Sequence, residues 1–505
     1  MDKSFKNKLA YLILFFILGF AFIVRIWNVS NNPAGFFCDE ASIGYNAYSV
    51  LTTGRDEWGT KLPLLFKAFG QYTDPVYIYS DIPLIKLFGL SEFSVRLASV
   101  FYGTLAVLAI FLLSGELFNL KIGLLAALLL AISPWHIHFS RIGFELISAT
   151  FWLPFSLFLF LKSLKNFKKY YFLTILSSSV TFFTYYPIKI IWPLLLLATF
   201  FIFFSKTKHW LKSKRFWLTN AAIAVVFVVL MLPYLKNNSF LSRWIEVKNS
   251  SLTFGSFLVG YWNHFSWDFL FKTGDIGFPG QFVTRHSVKG LGELYVFELP
   301  LIVLGLSFLV IRKKYREFFL LLFFLLFYPL GTVFTDIKPQ ATRSIIGVIP
   351  FQIVSAYGLG QLVFWVKGKK LKLLIVLVFL TVAAASFFNF LKLDRVYPDY
   401  SADFWGWQYG PKEIVDYFRT QTKNYDGLYM TGYFNAPEIF LKFYDPNHLC
   451  KNCFIGGIDR YDAKKKQLFA LRVEETKNMK FSYRIKKIIY YPDGKGAFYI
   501  IEPNF

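Results

Sequence analysis

A helix needs about 20 mostly apolar residues to cross a bilayer, and eleven stretches of this chain approach that. They fall near 9–29, 92–118, 121–139, 144–161, 170–187, 188–205, 216–235, 296–311, 317–335, 341–366 and 371–391. No other feature constrains the fold as strongly. Lipid offers no partner to a backbone N–H or C=O, so crossings without a strand-barrel pattern are helices. The expectation is an all-α polytopic membrane protein with about eleven transmembrane helices. Composition agrees, with 55% hydrophobic and only 17% charged residues. The N-terminal charges followed by a long apolar stretch resemble a signal peptide. Arg25-Ile-Trp-Asn offers no small-residue cleavage site, so this stretch reads as an uncleaved first span.

Basic residues set the orientation. With the N-terminus inside, the inside segments carry Lys3, Lys6 and Lys8; Lys121; Lys162, Lys165, Lys168 and Lys169. They continue with Lys206, Lys208, Lys212, Lys214 and Arg215; Arg312, Lys313, Lys314 and Arg316; Lys367, Lys369, Lys370 and Lys372. The short outside turns carry only Arg141, Lys189, and Lys338 with Arg343. Basic residues concentrate on the cytoplasmic side of membrane proteins. This placement explains most of the +24 net charge without nucleic acid. The chain is therefore expected in the cell membrane, with its N-terminus cytoplasmic and its C-terminal domain extracytoplasmic. Residues 1–391 form the membrane domain, with outer loops at about 30–91 and 236–295. Residues 392–505 mix acidic and basic residues with short apolar strands and read as a small α/β domain. Within it Pro411–Thr420 reads as a helix, Gly427–Tyr433 and Ala497–Ile501 as strands, and Asp493-Gly494 as a turn.

The first outer stretch is rich in polar groups. Asp39 and Glu40 stand where the chain leaves its first span. Ile43, Ala47, Val50 and Leu51 then share one helical face up to Gly54. A second amphipathic run starts with Asp74 as N-cap and Pro75 at N1. Both runs read as juxtamembrane helices lying on the membrane surface. The adjacent carboxylates either cap the first of them or carry chemistry.

Two other outer turns concentrate polar residues. Ser133-Pro134-Trp135 leads to Arg141 and Glu145, which stand at i, i+4 and could shape a pocket facing Asp39. An interfacial anchor is the other reading of that turn. Thr335 to Arg343 places an arginine at a helix start, where its permanently charged fork suits a lipid phosphate or headgroup. The 236–295 loop offers Trp262, His264, Trp267, Asp268, Asp275, Arg285 and His286, which fit a sugar pocket or an interfacial helix. Glu40, His264 and His286 are the candidate ligands should a divalent metal bind, although their spacing matches no metal motif. No cofactor is implied. Cys450 and Cys453 read as a local disulfide or two thiols rather than a redox centre.

Taken together these residues resemble the GT-C glycosyltransferases of family 39, the polyprenyl- or dolichyl-phosphate-mannose protein mannosyltransferases and aminoarabinose transferases. The resemblance covers roughly residues 8–390. It rests on Asp39-Glu40, the aromatic-proline segment Tyr72–Tyr77, Gly89-Leu-Ser-Glu-Phe-Ser-Val-Arg96, the Ser133–Arg141 turn and the Pro339–Arg343 turn. It implies a large outer cavity roofed by two juxtamembrane helices, with Asp39 as base or acceptor-orienting group and Glu40 beside it. Many relatives have a lysine just before the proline of the Tyr72 segment, where Thr73 and Asp74 stand here. That shifts the expected phosphate contact to Arg343, with Lys67 second. Tyr72, Arg141, Glu145 and His286 complete the expected substrate contacts.

The expected function is transfer of one sugar from a polyprenyl-phosphate donor to a protein, glycan or lipid acceptor on the outer face. The partners are thus the donor, the acceptor and the bilayer. The alternative is a transporter or flippase of a lipid-linked sugar. Such proteins usually show internal repeats and mid-span polar residues, whereas the charges here gather at the outer surface.

Overall fold

The computed structural model describes residues 3–236, 252–335, 338–477, 479 and 482–504. The part of the expected outer loop at 237–251, and Asp336 and Ile337 of the late turn, lie outside the described residues. Each expected span coincides with a helix. In chain order these begin α1 (Lys3–Ile26), then α2 (Cys38–Thr53) and α3 (Pro75–Phe88) of the outer stretch, then α4 (Glu92–Leu117). They continue with α5 (Leu120–Ile132), α6 (Pro134–Phe139), α7 (Leu146–Lys165), α8 (Phe167–Phe182) and α9 (Ile188–Ile202). The later spans are Lys214–Lys236, Glu298–Ile311, Tyr315–Phe327, Val348–Trp365 and Lys369–Arg395. Among the described residues, 7 helices are long and apolar enough to cross a membrane, or 8 if the pair Ile188–Ile202 and Phe204–Lys212, bent by 78°, counts as one span. Two more apolar helices, α5 and Glu298–Ile311, are shorter than a full crossing.

Local chemistry fixes the boundaries. Ser91 and Ser94 form a capping box at the start of α4. The Asn119 side chain accepts from the N–H groups of Lys121 and Ile122 and starts α5. Gly54 ends α2 in the left-handed region at φ 71°. Pro134 has no N–H to continue α5, and Ser133 caps α6 in its place. At that break, Arg25 of α1 donates Nη2 to the Leu130 carbonyl and Nη1 to the Ala131 carbonyl, both at 3.2 Å. Its Nη2 also lies 2.8 Å from His136 Nδ1.

Helix α4 is the hub of the bundle and packs on α1, α3, α5 and α7. Elsewhere small residues let backbones meet. A Cβ on Gly358 would lie 2.1 Å from the Leu301 carbonyl oxygen, so Val348–Trp365 and Glu298–Ile311 touch main chain to main chain.

The outer stretch holds an element that the sequence reading lacks. Strands β1 (Phe66–Ala68) and β2 (Gln71–Thr73) pair antiparallel, with Phe66 opposite Thr73. Phe69 and Gly70 turn between them with φ 51° and 84°, the positive values that a two-residue hairpin turn requires. The Asp74 expectation is corrected in part. Asp74 occupies the N-cap position of α3, but its side chain makes no cap bond.

The C-terminal domain carries strands β3 (Gly427–Met430), β4 (Cys453–Ile455), β5 (Gln467–Arg472), β6 (Tyr483–Tyr490) and β7 (Gly496–Pro503). They form one sheet in the order β4-β3-β5-β7-β6. Strand β3 is parallel to β4 and β5, and β7 is antiparallel to β5 and β6. Cys450 and Cys453 form a disulfide. The helix Glu438–Tyr444 lies directly on α2. Phe443 stacks against Phe36 with centroids 4.8 Å apart, and the Tyr444 hydroxyl donates to Glu92 at 2.6 Å. So α2 does not lie bare on a membrane surface. It is packed between the bundle and this domain.

Candidate active site at the start of α2

Asp39 and Glu40 are neighbours in the first turn of α2, yet consecutive helical residues point about 100° apart. The two side chains go to different places. Glu40 is fully buried. Its Oε1 receives Arg96 Nε at 2.9 Å and the Gly143 N–H at 2.7 Å. Its Oε2 receives Arg96 Nη2 at 3.1 Å and the Phe37 N–H at 3.2 Å. The remaining Arg96 donors reach the carbonyls of Val29 at 3.0 Å, Pro33 at 2.9 Å and Gly35 at 2.6 Å. Glu40 is thereby the knot between α2, α4, the 29–35 segment and the turn before α7. That engagement corrects its expected place as a partner of Asp39 or a metal ligand.

Asp39 lines a small pocket of about 20 Å³ with Glu145, Ser42, Asn46, Phe66, Thr73 and Ile78. Its Oδ1 accepts a long contact from the Cys38 thiol, 3.6 Å. Burial, reinforced by the Asp39 charge, pushes that thiol well above its ordinary pKa, so Cys38 stays protonated. Arg285 is the nearby cation. Its guanidinium stacks 4.0 Å from the Phe37 ring centroid and donates Nη1 to the Trp405 carbonyl at 2.8 Å. Burial lowers the Arg285 pKa, and the Asp39 charge opposes that shift. Arg285 appeared in the sequence only as one polar residue of a long loop. Nothing local ties it to a residue some 250 positions earlier.

The late turn is organised by Asp275. Its Oδ2 receives the Ala341 N–H at 2.8 Å and lies 3.1 Å from His286 Nδ1, while Oδ1 receives Gln281 Nε2 at 2.6 Å. A carboxylate thus sits on the first N–H of the short helix Ala341–Ser344, which carries Arg343. Burial holds His286 below its ordinary pKa against the pull of Asp275. Arg343 Nη1 donates to the Thr335 hydroxyl, and its guanidinium lies 5.8 Å from the Tyr186 ring. Three residues beyond Tyr186, Lys189 pairs with Asp74 at 2.8 Å. Thr73, next to Asp74, lines the Asp39 pocket. Lys189 is thus tied to the β2–α3 junction, one residue from the pocket-lining Thr73.

The other candidates are separate. Arg141 pairs with Asp394 and donates Nη2 to the Trp27 carbonyl at 3.1 Å. Glu145, the other member of the expected pair, lines the Asp39 pocket without Arg141. Lys67 lies 4.6 Å from the Trp58 ring, and its neighbour across the hairpin, Tyr72, meets the Tyr234 ring edge-on at 6.0 Å. The His264 Nδ1–H donates to the Gly260 carbonyl at 2.8 Å. Glu40, His264 and His286 thus have separate partners. Among the described residues no group of three His, Cys, Asp or Glu converges on a metal position. Trp262 and Trp267 are exposed, as side chains at a membrane boundary are.

The comparisons with known proteins follow this geometry. Residues 75–234 match the family described as dolichyl-phosphate-mannose-protein mannosyltransferase. No curated protein sequence matches. ArnT from Cupriavidus metallidurans in the apo state is similar in structure with a TM-score of 0.54 at 11% identity, over 99% of this chain and 98% of that one. The same ArnT bound to undecaprenyl phosphate gives 0.53 at 11% identity, over 100% and 99%. The oligosaccharyltransferase AglB from Archaeoglobus fulgidus, in complex with an inhibitory peptide and a dolichol-phosphate, gives 0.53 at 14% identity over 83% of this chain. The chain spans 58% of that protein's length. The chain accordingly has the GT-C fold, and its residues 75–234 are similar to the dolichyl-phosphate-mannose-protein mannosyltransferase family.

Proposed function

We propose that this protein is a membrane glycosyltransferase that moves a sugar from a polyprenyl-phosphate donor to an acceptor hydroxyl at the Asp39 pocket. The observation that carries this reading is the division of labour in the first turn of α2. Glu40 is saturated by Arg96 and two main-chain donors, while Asp39 lines the pocket. The bound undecaprenyl phosphate and dolichol-phosphate of the two neighbours support the donor class.

In the proposed reaction the acceptor oxygen bonds to the anomeric carbon as the bond from that carbon to the phosphate oxygen breaks. The electron pair leaves with the phosphate, and the acceptor proton passes to Asp39. A positioned base of this kind contributes about 10²–10⁴-fold. Arg343, and Lys189 held by Asp74, are the cations proposed to receive the leaving phosphate. Arg285, between Phe37 and Trp405, is the positive charge that the Asp39 side chain meets. The charge alternation supports a cytoplasmic N-terminus and, with it, an outer-face site.

Asp39→Asn tests the reading. It is nearly isosteric, and Asp39 lies inside the first turn while Phe37 holds the N-cap position, so it should lose at least about 100-fold in transfer while folding and donor binding persist. Purified Asp39→Asn protein transferring sugar at the wild-type rate would remove Asp39 from the mechanism.

A further inference from the structure

A second cavity lies away from the Asp39 pocket. It occupies about 430 Å³ between α1 and the helix Lys369–Arg395, within the range for ligand sites. Its two ends differ in chemistry. Phe20, Val24 and Phe387 line the apolar end. Asn28, Arg141 and Arg395 line the other, where both helices end. Both helices are apolar enough to cross a membrane and bury little of their surface in the bundle, so bilayer lipid reaches the groove from the side.

The polar end contains an unmet donor. Arg141 is 5% exposed, with Nη1 on Asp394 and Nη2 on the Trp27 carbonyl. Its buried Nε–H has no acceptor among the described residues. A buried guanidinium N–H without an acceptor is costly. Arg395, one residue beyond Asp394, is exposed and lines the same end. Asp394 balances one of the two guanidiniums, which leaves one positive charge beside the orphan donor.

The geometry points to a resident phospholipid with an anionic head in this groove, its acyl chains along Phe20, Val24 and Phe387 and its phosphate at the Arg141 and Arg395 end. A neutral molecule would leave the extra charge unbalanced, and a soluble anion would leave the apolar end wet. The donor's own phosphate is a different case, because its proposed cations lie beside Tyr186, next to the β2–α3 junction. The lipid also has a route to the site. Asn32 Nδ2 donates to Asp394 Oδ2 at 3.0 Å. The next residue, Pro33, gives its carbonyl to Arg96, the partner of Glu40. The phospholipid therefore steadies the segment from which Asp39 starts.

Native mass spectrometry of the purified full chain tests this, with phosphatidylglycerol and phosphatidylcholine of identical acyl chains as probes. Wild-type protein should retain the glycerol lipid over the choline lipid by about fivefold, the worth of one cation near a lipid phosphate. Arg395→Gln should erase most of that preference and Arg395→Lys should keep it. Leu391→Trp, which fills the groove, should lose both lipids while unfolding at the wild-type temperature. Equal retention of the two lipids by wild-type protein overturns the proposal, as does wild-type retention in both Arg395→Gln and Leu391→Trp. Displacement of phosphatidylglycerol by an equal concentration of undecaprenyl phosphate also overturns it, since the groove would then belong to the donor lipid.

Discussion

Around Glu40 every polar atom is spoken for, whereas around Asp39 few are. Five donors of Arg96 and two main-chain N–H groups close the buried seat without reference to any ligand. The pocket one residue away is lined by Asp39 and Glu145, with Arg285 held nearby by Phe37 and Trp405. The contrast teaches that adjacency in sequence is a poor guide to shared chemistry on a helix. Two carboxylates side by side meet different surroundings, one holding the loop still and the other lining a pocket.

The comparison can be broken at its strongest point first. Arg96→Met leaves the Glu40 carboxylate buried without its fork, which should cost about 3–5 kcal/mol. A lowered unfolding temperature in detergent, partly restored by adding Glu40→Gln, is the expected result. Wild-type stability in Arg96→Met would mean that the seat holds nothing. Next comes Asp39→Asn, with the opposite signature: about 100-fold less transfer at unchanged unfolding temperature. If both substitutions lower stability alike, the distinction between seat and pocket fails.

A smaller effect is expected at Arg343. Arg343→Ala should weaken donor binding about tenfold, in line with a hydrogen bond to a charged group. Arg343→Lys should recover only part, because an ammonium lacks the fork. Titration with undecaprenyl phosphate reads this, and unchanged binding in both variants would reduce Arg343 to a boundary residue. The smallest effect belongs to Lys442, whose ammonium meets Glu57 at 3.0 Å with 37% of the side chain exposed. Lys442→Ala should cost less than about 1 kcal/mol. A large loss of stability there would show that the C-terminal domain hangs on this pair rather than on Phe443 and Tyr444.

The sequence was most legible where one physical requirement repeats. The eleven apolar stretches, the two helices of the outer stretch, the Pro411 helix and the last strand all follow from periodicity and capping. The hairpin at Phe66–Thr73 escaped because three-residue strands carry no measurable alternation. Arg96 stood in view beside the Ser91 cap, but its bond to Glu40 closes 56 residues of chain, and no local pattern encodes that. The Arg141–Glu145 spacing suggested a pair on one helix. The chain breaks its helix between them, and Arg141 instead finds Asp394. In each case the missing information was a partner far along the chain.

Arg25 has a consequence for how this molecule is made. Its acceptors on Leu130 and Ala131 lie 105 and 106 residues further along. When α1 first meets lipid, neither carbonyl has yet been synthesised, and a guanidinium in the last turn of a span reaches for the headgroups. The newborn helix therefore rides with Arg25 at the headgroups and settles to its final depth only after the α5–α6 break arrives. The first span thus takes its seat only once its successors have entered, and a ribosome-bound chain shorter than about 136 residues should hold it shallower than the finished protein does.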